Sequence, residues 1–150
     1  MDIKRNIKQA MHELGYSKPR KHQIIPIRAL TDGKDAIVHA PTGSGKTAIF
    51  ATAGQVYKHQ LTVVVEPLLA LIYNQVQALQ QQGIAADYLD HTRSKQDTDH
   101  ILAKACSGKL TFLYVTPERL QSKAFIHAMQ QADLYMFVVD ECHCITEWGY

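Results

Sequence analysis

Two stretches of this chain hold residue types that handle a nucleoside triphosphate. The first, Ala40-Pro41-Thr42-Gly43-Ser44-Gly45-Lys46-Thr47, falls between a predicted strand and a predicted helix, the setting a phosphate-binding loop needs. Gly43 and Gly45 let backbone N–H groups close around phosphate oxygens, and the N-terminus of the following helix adds partial positive charge. Lys46 then reaches the β- and γ-phosphates, while the Thr47 hydroxyl is a hard oxygen ligand of the kind Mg2+ prefers. Pro41, Thr42 and Ser44 complete the loop, and Ala40 stands where the strict pattern has Gly. A glycine-rich turn before an ordinary helix is the plainer reading, but it does not require a strand on one side and a helix on the other.

The second stretch is Asp140-Glu141, directly after the apolar run Tyr135-Met136-Phe137-Val138-Val139. A buried strand would deliver Asp140 to Mg2+ through water and place Glu141 to orient and deprotonate an attacking water. Two acids after a strand can also cap a helix; the loop upstream favours the chemical reading. Cys142-His143-Cys144 superficially resembles a metal site, but adjacent residues point different ways and no partner pair lies nearby.

The elements that must position these residues are legible as alternating periodicities. Ile3, Ile7, Met11 and Leu14 predict a short amphipathic helix with Asp2 as N-cap and Gly15 as its stop. A second helix starts near Pro19, with Ile24, Ile27 and Leu30 on its apolar face, and Asp32-Gly33 turns the chain into a buried strand over residues 36–39. Further strands are predicted over residues 61–66, 85–89, 110–115 and 134–139, separated by helices over 46–58, 68–82, 95–106 and 117–131. These five strands are apolar throughout and alternate with helices. The fold class expected is therefore α/β, a parallel sheet with helices on both faces.

Composition agrees with a globular chain. The 150 residues suffice for one domain, and 46% hydrophobic with 20% charged residues excludes disorder and low complexity. No apolar run approaches the ~20 residues of a membrane span, and no secretory h-region follows the first Met, so an intracellular protein is expected. Cys106, Cys142 and Cys144 form no paired framework and read as reduced thiols. Net charge is +2, yet Lys4, Arg5, Lys8, Lys18, Arg20, Lys21 and Arg28 face only Asp2 and Glu13 at the front end, a basic excess suited to phosphate or to a solvated helix face.

The letters after the acidic pair sharpen the picture. Asp140-Glu141-Cys142-His143 followed by Cys144-Ile145-Thr146-Glu147-Trp148-Gly149 resembles the RecQ family of DNA helicases, whose DEAH-type box runs into an aromatic-rich loop. Gly15-Tyr16, Arg20 and Gln23 are similar to that family's adenine-recognition motif, Pro67-Leu68 with Leu71 and Gln75 to its segment Ia, and residues 116–120 to Ib. The resemblance implies a P-loop NTPase of the RecA-like type, with an adenine motif and its helices in residues 1–33 and an incomplete first motor domain in 34–150. It implies Tyr16 and Arg20 stacking on adenine, Gln23 reading its edge, and selection of ATP over GTP. It further implies Pro67, Gln75, Thr116 and Arg119 on a DNA backbone, Trp148 sensing DNA, and His143 linking the two sites; Arg119 paired with a carboxylate and Trp148 as a core anchor are the bland alternatives.

The partner implied is DNA, as single strands and duplex junctions, and the activity 3′→5′ translocation and unwinding in repair and recombination, in the nucleus of a eukaryote or the cytoplasm and nucleoid of a bacterium. Pro19, Lys21, His22, Cys142 and Tyr150 depart from the family's usual Phe, Pro, Gly, Ala and His. The second RecA-like domain, with its arginine finger, is absent from the 150 residues, so the chain is expected to be an N-terminal fragment, truncated before the last strands of its sheet and nearly inactive alone. A nucleotide- or nucleic-acid-binding module without motor activity, and a DEAD-box-like RNA helicase, are the competing readings.

Overall fold

The computed structural model describes residues 2–41 and 43–143, which form two compact units, residues 1–58 and 59–150. In the first, helix α1 (Ile3–Glu13) and helix α2 (Lys21–Thr31) pack on helix α3 (Lys46–Val56). Asp2 caps α1, its carboxylate accepting from the Arg5 N–H at 3.3 Å, which satisfies one of the helix's free donors. Helix α3 is buried along most of its length, from Ala48 to Gln55, as its apolar composition on every face requires. Glu13 ties the end of α1 to the end of α3, accepting from Gln55 at 2.6 Å and pairing with Lys58 at 3.3 Å.

The second unit is a parallel sheet with helices on both faces. Strands β1 (Leu61–Val65), β2 (Ala86–Leu89), β3 (Phe112–Val115) and β4 (Leu134–Val139) lie in the order β2-β3-β1-β4, all neighbours parallel. Helix α4 (Leu69–Gln81) joins β1 to β2, helix α5 (Lys95–Cys106) joins β2 to β3, and helix α6 (Lys123–Gln131) joins β3 to β4. Right-handed crossovers that step in opposite directions along a sheet put their helices on opposite faces. Alternate residues of β1, Leu61, Val63 and Val65, accordingly share one core with Leu113 and Val115 of β3, Ile101 and Leu102 of α5, and Phe125 and Ala128 of α6. Among the described residues no helix is long and apolar enough to cross a membrane.

Two sequence expectations are corrected. Residues 36–39 form no strand: the segment from Lys34 to Ala40 is irregular, with Ile37 98% exposed, and the described sheet has four strands, not five. Four extended residues cannot satisfy their own backbone; a strand needs a neighbour, and none of these residues has a ladder partner. The span 117–131 is not one helix either. A 3-10 turn, Pro117–Gln121, is followed by α6, and Ser122 separates them by adopting extended backbone and capping α6 through the Phe125 N–H.

Candidate nucleotide site

The phosphate-loop residues lie in the first unit. Gly43 and Gly45 hold φ of +79° and +87°, left-handed values that a residue with Cβ adopts only at a cost, so glycine is required for the loop's path. Gly45 is also the N-cap of α3, and no side chain caps that helix. A helix N-terminus of this kind carries partial positive charge that favours an anion. Lys46 and Thr47 are the first two residues of α3, both half-buried. The Ser44 hydroxyl oxygen is buried without a hydrogen-bond partner, a second polar group in the loop left for a ligand.

The first turn of α2 grips this loop by its carbonyls. An Arg20 guanidinium N–H donates to the Ser44 carbonyl at 3.3 Å, the His22 ring Nε2 lies 2.6 Å from the same oxygen, and the Gln23 amide donates to the Gly45 carbonyl at 2.9 Å. Because a carbonyl only accepts, the His22 Nε2 must carry a hydrogen. Gln23 is buried, and its Oε1 accepts the Arg20 backbone N–H at 2.8 Å, so the third residue of α2 caps the residue before the helix. A Cβ on Gly45 would approach the Gln23 amide nitrogen to 2.6 Å, so the two residues are matched in size. Tyr16 is half-buried, and burial pushes its hydroxyl above the ordinary tyrosine value. The structure therefore joins Arg20 and Gln23, the residues expected on adenine, to the glycine loop, and adds His22, which sequence reasoning noted only as a departure.

The acidic residues lie in the second unit, at the tips of β1 and β4. The Asp140 N–H donates to the Val65 carbonyl at 3.0 Å, which carries the ladder one residue past β4. Asp140 turns its carboxylate back to accept the Glu141 N–H at 2.9 Å. Glu141 sits at φ +53°, the left-handed region, a strained conformation that re-aims its side chain immediately after the strand. His143 Nε2 lies 3.2 Å from a Glu141 carboxylate oxygen, a direct contact between the two side chains.

A third carboxylate, which sequence reasoning missed, joins them. Glu66 follows β1 as Asp140 follows β4, and it is completely buried. One of its oxygens accepts the Leu68 N–H at 3.1 Å and the other has no conventional partner. Burial first, and then the hydrogen bond it shares with Asp140, push its carboxyl up to about 8. A proton on that free oxygen removes the buried charge and donates to Asp140. The available signal was a charged residue directly after a five-residue strand that is apolar except for Thr62.

The residues expected on DNA are also in the second unit. Thr116 is buried, with its hydroxyl oxygen unpartnered, at the start of the 3-10 turn. The Arg119 guanidinium donates to the backbone carbonyl of Asp90, not to a carboxylate. Asp90 is itself buried and held by Thr92, through N–H at 3.0 Å and hydroxyl at 2.6 Å, and by the Tyr73 hydroxyl. Burial pushes its carboxyl up, but these hydrogen bonds prevail and hold it below the usual value. Pro67 is half-buried ahead of α4, and Gln75 lies on that helix. Thr42, Cys144, Trp148 and Tyr150 lie outside the described residues, and among those described no cluster of three metal-ligating side chains occurs.

Comparison with known proteins places this geometry. The chain is 35% identical over 136 residues to the ATP-dependent DNA helicase RecQ of Haemophilus influenzae, covering 91% of this chain and 22% of that protein. It is 36% identical over 140 residues to the RecQ of Bacillus subtilis, covering 93% of this chain and 24% of the relative. It thus spans about a quarter of these curated relatives' length. The solved DUF1998 helicase MrfA, bound to DNA and AMPPNP, superposes with a TM-score of 0.72 at 20% identity over 92% of this chain and 21% of its own, a likeness of fold. Residues 20–150, from the arginine that grips the phosphate loop to the end of the chain, match the DEAD/DEAH box helicase family, and the chain belongs to it.

Proposed function

We propose that these residues are the nucleotide-binding part of a RecQ-type ATP-dependent DNA helicase, which translocates 3′→5′ and unwinds DNA when its second motor domain is present. The observation that supports this best is the loop of residues 43–45, left-handed at both glycines and opening onto the uncapped N-terminus of α3. In this reading Lys46 neutralises the β- and γ-phosphates, and Thr47 and Asp140 are each an oxygen donor of the kind Mg2+ takes. The bound Mg2+ supplies charge neutralisation to the triphosphate. Glu141, aimed by its left-handed backbone, takes the proton of the attacking water, and His143 beside it steadies the carboxylate.

Tyr16, Arg20 and Gln23 take the adenine, and Pro67, Gln75, Thr116, Arg119 and Trp148 serve the DNA strand. For Thr116 and Arg119 the service is indirect: one is buried and the other holds the Asp90 carbonyl, so both shape the surface next to the strand. An intracellular location follows from DNA as substrate. The test is titration of the 150-residue chain with a fluorescent ATP analogue and Mg2+. Binding that is lost in Lys46→Ala and weakened on chelating Mg2+ is expected, without unwinding. Equal binding by the Lys46→Ala protein would refute the loop assignment.

A further inference from the structure

Helices α1 and α2 enclose a groove of about 320 Å3 in the first unit, well away in sequence from the phosphate loop. Its floor is aliphatic: Ile7 and Met11 from α1, Ile24 and Ile27 from α2, with Met11 and Ile27 almost fully buried and the two outer isoleucines half-open. Its rim is basic, formed by Lys4, Lys8, Lys18 and Arg28, all exposed, and no acidic residue lines it. None of these four cations makes an ion pair among the described residues. The nearby acid Glu13 is already engaged by Lys58 and Gln55, and Asp2 by the start of α1.

We propose that this groove docks an acidic peptide segment of a partner protein, with one bulky apolar side chain seated on the isoleucine and methionine floor and flanking carboxylates on the lysine and arginine rim. Charge complementarity selects an anion, since an apolar cleft ringed by four unpaired cations repels a basic partner and gains no net charge attraction from a neutral one. The floor selects a peptide over nucleic acid. Single strands are held by stacking on aromatic faces along a basic track, and the lining here has no aromatic ring. The volume fits one or two side chains, and α1 offers its lining at positions 4, 7, 8 and 11, so an extended segment lies along the helix pair.

The experiment is fluorescence anisotropy of a labelled hexapeptide, Glu-Asp-Phe-Leu-Asp-Glu, with the 150-residue chain at low and moderate salt. Binding that weakens with salt is expected, and at least tenfold loss in Lys8→Glu/Arg28→Glu. Lys18→Glu alone should lose severalfold, and Lys95→Glu/Lys123→Glu, an equal charge change on exposed sites outside the groove, should lose none. The same peptide with Ser for Phe and Leu should not bind. Equal binding of that Ser peptide, or equal loss in the Lys95/Lys123 protein, would reduce the effect to net charge and overturn the proposal. Loss of oligo(dT) binding as large as the peptide's in Lys8→Glu/Arg28→Glu would make the groove a nucleic-acid site. Self-association abolished by that variant would make it a contact between copies; either result also overturns the proposal.

Discussion

Glu66 shows how a single burial decision changes what a residue does with protons. Its carboxyl titrates near 4.5 when solvated and about 8 when folded, so between these values the native state holds a proton that the unfolded chain has released. Stability from this residue is complete below the solvated value and falls as pH rises through the folded one. With neither magnesium nor nucleotide present, Glu66→Gln keeps an acceptor for the Leu68 N–H and a donor for Asp140. The variant should therefore gain on the parent by roughly 2 kcal/mol between pH 6 and pH 8. Urea melts of both proteins at the two pH values check this; parallel behaviour would show that Glu66 is ionised throughout. His22 supports a second residue-scale prediction, resting on the nucleotide reading. Removing its 2.6 Å contact with the Ser44 carbonyl in His22→Ala should weaken ATP-analogue binding about two- to tenfold, the range of one hydrogen bond, with the fold intact by circular dichroism.

Elements follow local signals where those signals are complete. Helix α5 begins at Ser94, whose hydroxyl accepts the Asp97 N–H at 3.0 Å. Ser94→Ala should cost about 1 kcal/mol in chemical denaturation, whereas Ser107→Ala at the other end should cost little, because an N-cap supplies a missing acceptor and Ser107 bonds only a carbonyl of its own last turn. Helices α1 and α4 were legible from apolar spacing, and β1, β3 and β4 from short, largely apolar runs, since each signal lies within the element itself. Gly43, Gly45 and the acidic pair were legible because their chemistry demands those residue types in order. Residues 36–39 carry a strand's composition but no pairing partner, and composition alone does not supply one. The break at Ser122, the burial of Glu66, and the reach of Arg119 to the Asp90 carbonyl 29 residues away depend on neighbours distant in the chain or on backbone geometry.

At the scale of the molecule, the sheet is well covered on β1 and β3 and poorly on β4. Val63 and Val65 are fully buried, yet their register partners Phe137 and Val139 are 46% and 41% exposed, and among the described residues β4 pairs on one side only. An apolar edge strand of this kind is a template for association. The purified chain should associate as concentration rises in light scattering, and Phe137→Lys should suppress it; a parent that stays monomeric at high concentration would show the edge to be protected. The Gln23 amide at the start of α2 has a different reach. With its oxygen held by the Arg20 N–H and its nitrogen by the Gly45 carbonyl, the Gln23 amide cannot be flipped end for end without breaking both bonds. Its polarity is thus keyed by the backbone before any ligand arrives; on the proposed adenine role, a nucleobase whose donor and acceptor come in the reverse order meets a lock that will not turn.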